Sequence, residues 1–322
     1  MFISGLLMFV SLLAAAPAFA AQGVYPDRPI RLIVPYPPGG NIDITARTIA
    51  PGLSETLGVQ IVVDNRGGAG GTIGSEMAAK APPDGYTFLM GSTGTLATAQ
   101  ALYPRLGFDP LKDFAYTSLV SSVALVAVTI PSLPARNVKE LIALLKARPG
   151  RVTMASAGIG TSNHLTGEYF QTVTATKLVH VPYKGSGPAL VDLMGGQVDM
   201  MFDQVSSAIG HINSGKLRAL AVTTLKRTSA LPKVPTMDES GLKGFEASTT
   251  TGILLPAKTP TEIQKRVYAA VVKTLRMPAT REGFAKVGAD VIESTPEELD
   301  RLMRAENVKW TKVIRDANVK VE

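Results

Sequence analysis

The sequence predicts an α/β protein with two domains. Short apolar runs alternate with helical patterns along most of the chain, and glycine or proline stands at most of the junctions, as in βα units. This alternation occurs in two series, at residues 30–94 and 152–222. The chain has 322 residues, of which 45% are hydrophobic and 18% charged, so it is long enough to bury a core in each domain.

The first predicted unit consists of a strand, a glycine turn and a helix. Ile30–Val34 is an apolar run typical of a buried strand, and a helical pattern begins at Asn41. The intervening segment ends in two prolines and two glycines, Pro37–Gly40, which force a turn. The free N–H groups and positive dipole end of the helix suit a carboxylate or a phosphate. An ordinary βα turn without a ligand explains this stretch equally well.

The rest of the first series contains no nucleotide-binding motif. Gln60–Val63 and Tyr86–Met90 are predicted strands, and Thr72–Lys80 is a predicted helix. The glycine-rich turn at residues 64–71 does not match G-x-G-x-x-G, and no G-x-x-x-x-G-K-[ST] occurs. These departures exclude dinucleotide and P-loop phosphate sites.

Two strands are predicted to pass between the domains. Phe114–Ile130 holds two apolar stretches around a serine pair and is expected to cross to the second domain, and Gly252–Leu255 is expected to cross back. The second series lies between them. Its predicted strands are Val152–Ala155, Leu178–Val181, Val198–Phe202 and Leu217–Val222.

Helix starts are marked by capping sequences. Asn137, Thr259 and Thr295 are each predicted to be an N-cap, because Glu stands three residues after each of them. Proline follows both threonines at the first helical position. The two C-terminal helices that begin there are expected to cover the first domain.

Composition excludes several classes of function. The formal net charge is +7, but no basic run is longer than a pair such as Lys226-Arg227, so we expect no nucleic-acid partner. Cysteine is absent, and the three histidines lie on different predicted elements, so neither a metal site nor a cofactor is expected. The acidic residues are scattered, and no pair of them indicates a general acid and base, so no catalytic residue is assigned.

Residues 1–20 predict a secretory signal peptide. They are apolar and end in Ala18-Phe19-Ala20, which fits cleavage after Ala20. No Lys or Arg precedes the apolar region, which is unusual for such a signal. A membrane anchor is the less favoured alternative, because the apolar stretch is short for a span. The mature chain is therefore expected to be exported.

Four loops repeat the features of an anion-binding site. Each ends a predicted strand before a helix and offers N–H donors without a bulky side chain: Gly39-Gly40, Gly67–Gly71, Gly158–Ser162 and Gly185–Gly187. Because ligands bind outside the carboxyl ends of parallel strands, we expect these loops to act together. Hydroxyl groups are added by Ser92, Thr93, Thr161, Ser162 and Thr249–Thr251.

The sequence resembles the Bug family, the extracytoplasmic solute-binding receptors of tripartite tricarboxylate transporters. The resemblance covers nearly all of residues 24–322 and rests on many motifs in order. They include Val34-Pro35-Tyr36-Pro37-Pro38-Gly39-Gly40-x-x-Asp43, Asn65-Arg66-x-Gly68-Ala69-Gly70-Gly71, Pro83-Asp84-Gly85-Tyr86-Thr87, His180-Val181-Pro182-Tyr183-Lys184-Gly185 and Leu193-Met194-Gly195-Gly196-Gln197-Val198-Asp199.

The resemblance implies a periplasmic-binding-protein clamshell, type II-like, in which each domain is a mainly parallel sheet flanked by helices. Domain I is expected at residues 24–122 and 248–322, and domain II at residues 123–247. The implied function is capture of a small organic acid in the periplasm by a monomer and its delivery to membrane permease subunits. A ligand sensor for a signalling partner, and an enzyme that uses His164 and Asp203, remain alternatives.

By similarity, loops from both domains hold the ligand, and Asp203 closes the far side of the cleft. Asn41, Ile42 and Thr249–Thr251 depart from residues common in the family, which suggests a roomier or more polar pocket. The candidate ligand-binding residues are Tyr36, Pro38, Gly39, Gly40, Asn41, Asp43, Ser92, Thr93, Gly160, Thr161, Ser162, His164, Tyr183, Lys184 and Asp203.

Overall fold

The computed structural model describes residues 25–103 and 105–320. The predicted signal peptide at residues 1–20 lies outside these residues. Along the described chain, strands and helices alternate in the order that the sequence predicts. None of the helices in this part of the chain combines the length and apolar character that a membrane span requires.

The elements fall into three consecutive groups. The first group is β1 (Ile30–Val34), α1 (Asn41–Leu57), β2 (Ile61–Asn65), a 3-10 turn (Ala69–Gly71), α2 (Thr72–Ala79), β3 (Thr87–Ser92), α3 (Thr93–Leu96), α4 (Ala99–Leu102) and β4 (Phe114–Thr129). The second is α5 (Val138–Ala147), β5 (Thr153–Ser156), α6 (Ser162–Thr174), β6 (Val179–Pro182), α7 (Ser186–Met194), β7 (Met200–Gln204), α8 (Val205–Asn213) and β8 (Arg218–Val222). The third is β9 (Ser248–Pro256), α9 (Thr261–Leu275), α10 (Pro278–Lys286), β10 (Asp290–Val291) and α11 (Pro296–Asp316).

The strands form a mixed sheet in the order β2-β1-β3-β9-β4-β7-β5-β6, and β8 and β10 also pair with β4. Strands β1, β2 and β3 are mutually parallel, as are β5, β6 and β7. Strand β9 runs antiparallel to both β3 and β4. We call β1–β3, β9, β10 and their helices the first lobe, and β5–β8 and their helices the second lobe.

Strand β4 joins the two lobes. Its residues up to Ala124 pair with β9, and its residues from Leu125 onward pair with β7 and β8. The predicted crossing at Phe114–Ile130 is thus a single strand whose register shifts at Tyr116/Ser118 and at Leu119/Ser121. Ser121 and Ser122 lie within this strand, opposite Thr251 and Thr250 of β9, and the Ser121 hydroxyl also bonds to that of Thr251. The domain bounds stay a prediction.

The core covers both faces of the sheet. Strand β1 is fully buried at Ile30, Leu32, Ile33 and Val34, as expected for a parallel strand covered by helices on both sides. Alternate residues face opposite ways, so Leu32 packs in a cluster with Ile49 and Leu53 of α1. Ile33 packs in a different cluster with Leu299 and Met303 of α11.

The C-terminal helices differ from prediction in two respects. The N-cap of α9 is Pro260 rather than Thr259, because the Thr259 hydroxyl bonds to the Pro256 carbonyl in the preceding turn. Helix α11 does not cover the first lobe alone. Its 21 residues span about 31 Å, and Trp310 and Ile314 near its end pack in the cluster that contains Phe170 of α6.

The capping box predicted at α11 is confirmed. The Thr295 hydroxyl accepts from Glu298 N, and the Glu298 carboxylate accepts from Thr295 N. We expect Thr295→Ala to lower the free energy of unfolding by about 1 kcal/mol, measured by urea denaturation. Thr172→Ala, which removes an exposed hydroxyl within α6, is the matched control and should change it little. Equal loss in the two variants would contradict a stabilising cap.

Candidate functional site

Four helix N-termini from both lobes converge on one cavity of about 350 Å³. Helix α1 comes from the first lobe, and α6, α7 and α8 come from the second. Strands β3 and β9 contribute hydroxyl groups. The cavity is lined by Tyr36, Gly40, Asn41, Ile42, Ser92, Ala157, Thr161, Ser162, Asn163, Ser186, Gln204 and Thr249.

The turn before α1 is held from behind by Asp43. Gly39 N donates to Asp43 Oδ2 at 3.0 Å, and Asn65 Nδ2 donates to Asp43 Oδ1 at 3.0 Å. Gly39 has φ of 88°, which a side chain would strain. Burial raises the pKa of the Asp43 carboxyl, but the hydrogen bonds from Arg47, Gly39 and Asn65 outweigh it and hold the pKa below its usual value. An ionised Asp43 thus fixes the path of the chain into α1.

The turn before α6 is held by hydroxyl groups and a histidine. Thr161 is the N-cap, and its hydroxyl donates to the Gly158 carbonyl at 2.7 Å. Gly160 N donates to His164 Nδ1 at 3.1 Å, so this ring supports the loop rather than lining the cavity. Because Nδ1 accepts a hydrogen bond, the neutral ring carries its proton on Nε2, which faces the Glu168 carboxylate at 3.5 Å.

A second histidine stacks on the first. The rings of His164 and His180 are nearly parallel, with centroids 3.8 Å apart. His180 Nε2 also bonds to the Ser156 hydroxyl at 2.7 Å, at the end of β5. Burial, together with the neighbouring His164, lowers the pKa of His180 to about 3. His180 is therefore uncharged near neutral pH, and the stacked pair supports the loop that enters α6.

Asp203 lies behind the cavity wall of the second lobe and is fully buried. Its carboxylate accepts from Ser186 Oγ at 2.8 Å, from Asn163 Nδ2 at 2.9 Å and from Ser207 Oγ at 2.6 Å. Burial raises the pKa of the Asp203 carboxyl, and these hydrogen bonds oppose that rise. The carboxylate ties the starts of α6, α7 and α8 together.

The electrostatic character of the cavity comes from the backbone. Its lining residues include no Asp, Glu, Lys, Arg or His. The first-turn N–H groups of a helix have no acceptor within that helix and carry a positive partial charge. Four such ends around one small volume favour an anion. Within the described residues, no group of three or more His, Asp or Glu side chains is arranged to hold a metal ion.

A wider cavity of about 830 Å³ adjoins the inner one and shares Tyr36 and Ala157 with it. Tyr36 lies between them, where its hydroxyl donates to the Gly70 carbonyl at 2.9 Å and bonds to Thr95 Oγ1 at 2.7 Å. Lys184 is the charged residue in the lining of the wider cavity. The wider cavity is thus a mildly basic entrance whose inner end is formed by a fixed tyrosine.

The lobes touch one another around the inner cavity. Ser206 Oγ donates to Asn41 Oδ1 at 2.7 Å, and Thr98 Oγ1 donates to the Gly160 carbonyl at 3.0 Å. A Cβ added at Gly70 would come within 2.7 Å of the Ile159 carbonyl oxygen, so glycine permits this close approach of the two loops. The structure is therefore a closed arrangement of the lobes.

Residues 45–319 match the model of the tripartite tricarboxylate transporter family receptor, TctC. The chain belongs to the TctC family. Protein BugT of Bordetella pertussis is 40% identical to it over 309 residues, which cover 96% of this chain and 94% of BugT. The resemblance to Bug receptors is thereby confirmed.

Solved structures confirm the fold. The periplasmic binding protein BugD is 38% identical, with a TM-score of 0.88, and the match covers 92% of this chain and 100% of BugD. MatC from Rhodopseudomonas palustris with bound malate is 32% identical, with a TM-score of 0.86, over 90% of this chain and 100% of MatC. This TctC chain has the α/β fold of periplasmic binding proteins, as the sequence predicts.

The structure distributes the candidate ligand-binding residues of this TctC chain over three places. Tyr36, Gly40, Asn41, Ser92, Thr161 and Ser162 line the inner cavity. Tyr183 and Lys184 line the entrance cavity. Those outside both linings are Pro38, Gly39, Asp43, Thr93, Gly160, His164 and Asp203.

Six residues that line the inner cavity are not among the candidate ligand-binding residues chosen from the sequence, although Ile42 and Thr249 were noted there as residues that shape the pocket. Ser186 begins α7 and Gln204 is the N-cap of α8, so both stand at strand-to-helix junctions that the sequence had marked. Their position at the start of a helix is the sequence signal that could have identified them as lining residues. The full set is Ile42, Ala157, Asn163, Ser186, Gln204 and Thr249.

The lowered pKa of His180 predicts a pH dependence of stability. The folded-state pKa of His180 is about 3, against 6.5 for the free side chain, so between these values the unfolded chain binds a proton that the folded chain does not. Stability should therefore fall as pH drops from about 6.5, by up to about 1.4 kcal/mol per pH unit from this residue.

The measurement is the free energy of unfolding between pH 7 and pH 4.5 for the wild type and for His180→Gln, which keeps a polar group beside Ser156. The variant should lose less stability on acidification than the wild type. Parallel curves for the two proteins would show that His180 titrates normally in the folded state.

Proposed function

We propose that this chain is an extracytoplasmic receptor that closes two lobes over a small carboxylate and delivers it to the permease subunits of a tripartite tricarboxylate-type transporter. The observation that carries the proposal is the convergence of four helix N-termini on one cavity without a charged side chain in its lining. A carboxylate supplies the negative charge that this arrangement lacks.

The number of hydrogen-bond donors around the cavity is sufficient for micromolar affinity. Helices α1 and α6 each present first-turn amides, and the hydroxyl group of Ser92 faces the same volume. A hydrogen bond to a charged group contributes about 1.5–3 kcal/mol, and micromolar affinity requires about 8 kcal/mol. Three to five such bonds, made from both lobes, reach that value after ordering costs.

The ligand class is supported by the cavity lining and by similarity. The lining has uncharged side chains only, so the helix N-termini are left to attract the negative charge of a small acid. The related MatC structure is described with bound malate. We therefore place small mono- and dicarboxylates first among the ligands of this chain.

The positions of the ionisable groups favour a receptor over an enzyme. His164 bonds to the Gly160 amide, and Asp203 accepts hydrogen bonds from three side chains. Neither residue lines the cavity, so neither is placed to exchange a proton with a ligand there. A sensor role would use the same site, and loss of acid uptake in a deletion strain would favour transport over sensing.

The proposal includes location and organisation. Residues 1–20 act as the signal peptide, and the mature chain is a periplasmic monomer with no cofactor. Domain I comprises residues 24–122 and 248–322, and domain II comprises residues 123–247. Strand β4 changes pairing partners between Ala124 and Leu125, close to the first of these boundaries, which supports them.

The first test is titration calorimetry of the mature chain, from Ala21, against a panel of carboxylates, with each acid measured after incubation. We expect micromolar or tighter binding of at least one acid and no consumption of it. Binding of no acid would contradict the proposed function, and consumption of a bound acid would favour the enzyme alternative.

A substitution at the α1 N-cap should separate binding from stability. Gly40 has φ of −88° and ψ of 168°, which any residue adopts, and an added Cβ would lie 3.7 Å from Ser186 Cβ. Asp at an N-cap suits the helix and changes its stability by only a few tenths of a kcal/mol relative to Gly. Its charge, about 4 Å from a bound carboxylate, costs about 4 kcal/mol at an effective dielectric constant of 20.

We therefore expect Gly40→Asp to weaken binding of the acid on the order of 1,000-fold without loss of thermal stability. Gly40→Asn has the same size without the charge and should lose much less affinity. Calorimetry and melting curves of both variants provide the test. Equal losses in the two variants would point to steric obstruction and away from an anion site.

A further inference from the structure

We propose that Asn41 is a specificity-determining residue. Its side-chain Nδ2 donates to the ligand, and its Oδ1 accepts a hydrogen bond from the second lobe. In this role it selects acids that present a hydrogen-bond acceptor and discriminates against acids that present an ammonium group at the same position. The inference rests on the proposed function, because it concerns the same cavity.

The Asn41 side chain has one satisfied end and one free end. It is 3% exposed, it is the first residue of α1, and it lines the inner cavity. Its Oδ1 accepts from Ser206 Oγ at 2.7 Å. Its Nδ2 has no hydrogen-bond partner among the described residues. A buried amide donor without a partner is destabilising, so its presence at a cavity wall indicates that a ligand satisfies it.

The hydrogen bond at Asn41 Oδ1 fixes the direction in which Nδ2 points. Ser206 lies in the first turn of α8, and its hydroxyl holds Oδ1 of Asn41 on the side of the second lobe. The amide is planar, so Nδ2 is then directed away from Ser206. An acceptor oxygen of the ligand would complete the hydrogen bonding of this side chain and leave the Ser206 bond in place.

The same bond links ligand recognition to closure. Asn41 belongs to the first lobe and Ser206 to the second, so their hydrogen bond exists only when the lobes are together. The first-turn amides of α1 and α8 also bring two positive helix ends close to each other. A bound anion offsets that repulsion while it accepts from Asn41, so the closed form binds the acid better than the open form does.

An ammonium group finds no anionic counterpart in this cavity, because no carboxylate side chain lines it. Asp203 lies behind the wall and already accepts from Asn163, Ser186 and Ser207. Of the hydroxyl groups in the lining, that of Thr249 already accepts from Gln204 Nε2. An ammonium group placed beside Asn41 would therefore be desolvated opposite an amide donor and four positive helix ends.

The test is calorimetry with pairs of acids that differ only by an amine: succinate and L-aspartate, glutarate and L-glutamate, propionate and L-alanine, and 3-phenylpropionate and L-phenylalanine. In the pair that the wild type binds, the acid without the amine should bind at least 10-fold more tightly. Equal or tighter binding of the amino acid would overturn the inference and leave the proposed receptor function standing. Binding of neither member of any pair, and of no acid in the wider panel, would overturn both.

Substitution of Asn41 tests its direct role. Asn41→Asp keeps the acceptor for Ser206 and replaces the free donor by an acceptor oxygen, so affinity for the amine-free acid should fall at least 100-fold while affinity for its amino partner falls less or rises. Asn41→Ala, which removes both ends, should reduce the preference without reversing it. An unchanged preference in both variants would overturn the inference, because a merely structural residue would not alter the ratio of the two affinities.

The link between ligand recognition and closure of the lobes is tested at Ser206, with a matched control at Ser214. Ser206→Ala should weaken binding of the preferred acid about 3- to 10-fold, mainly through faster dissociation in stopped-flow measurements. Ser214→Ala, which removes an exposed hydroxyl at the other end of α8, should leave the dissociation rate unchanged. A Ser206→Ala variant that dissociates at the wild-type rate would contradict the link between ligand recognition and closure.

Discussion

The structure depends on the mutual approach of four helix N-termini around one cavity between the lobes. Each of these ends carries a positive partial charge and N–H groups that its own helix does not satisfy. Asp43 and Asp203 offset part of this charge from behind the wall, and the cavity lining itself contains no anionic side chain. In the proposed function, a ligand carboxylate would offset the rest and so stabilise the closed arrangement as well as make individual hydrogen bonds.

The charged and titratable groups near the site act as supports. Asp43 holds the turn into α1, Asp203 joins the starts of three helices, and His164 receives the amide of Gly160. These groups lie behind the wall, so backbone amides and uncharged side chains line the cavity. Such a lining favours a negatively charged ligand, in keeping with the proposed receptor function.

Much of the fold could be predicted from the sequence, because strand, glycine turn and helix follow one another in local patterns. The capping box at Thr295 and the long crossing strand at Phe114–Thr129 are examples. The side chains of the cavity were harder to predict, because tertiary packing decides which first-turn residues face inward. Residue type drew attention to His164 and Asp203, which lie behind the wall, whereas Ser186 and Gln204 line the cavity and were not selected.

The most direct test of this account is a crystal structure of the mature chain with a bound acid. The account predicts that carboxylate oxygens lie within hydrogen-bond distance of the first-turn amides of α1 and α6, in the closed arrangement of the lobes. It also predicts that no Lys or Arg side chain contacts the acid in the inner cavity. A carboxylate held instead by Lys184 in the entrance cavity, with the inner cavity occupied by water, would contradict it.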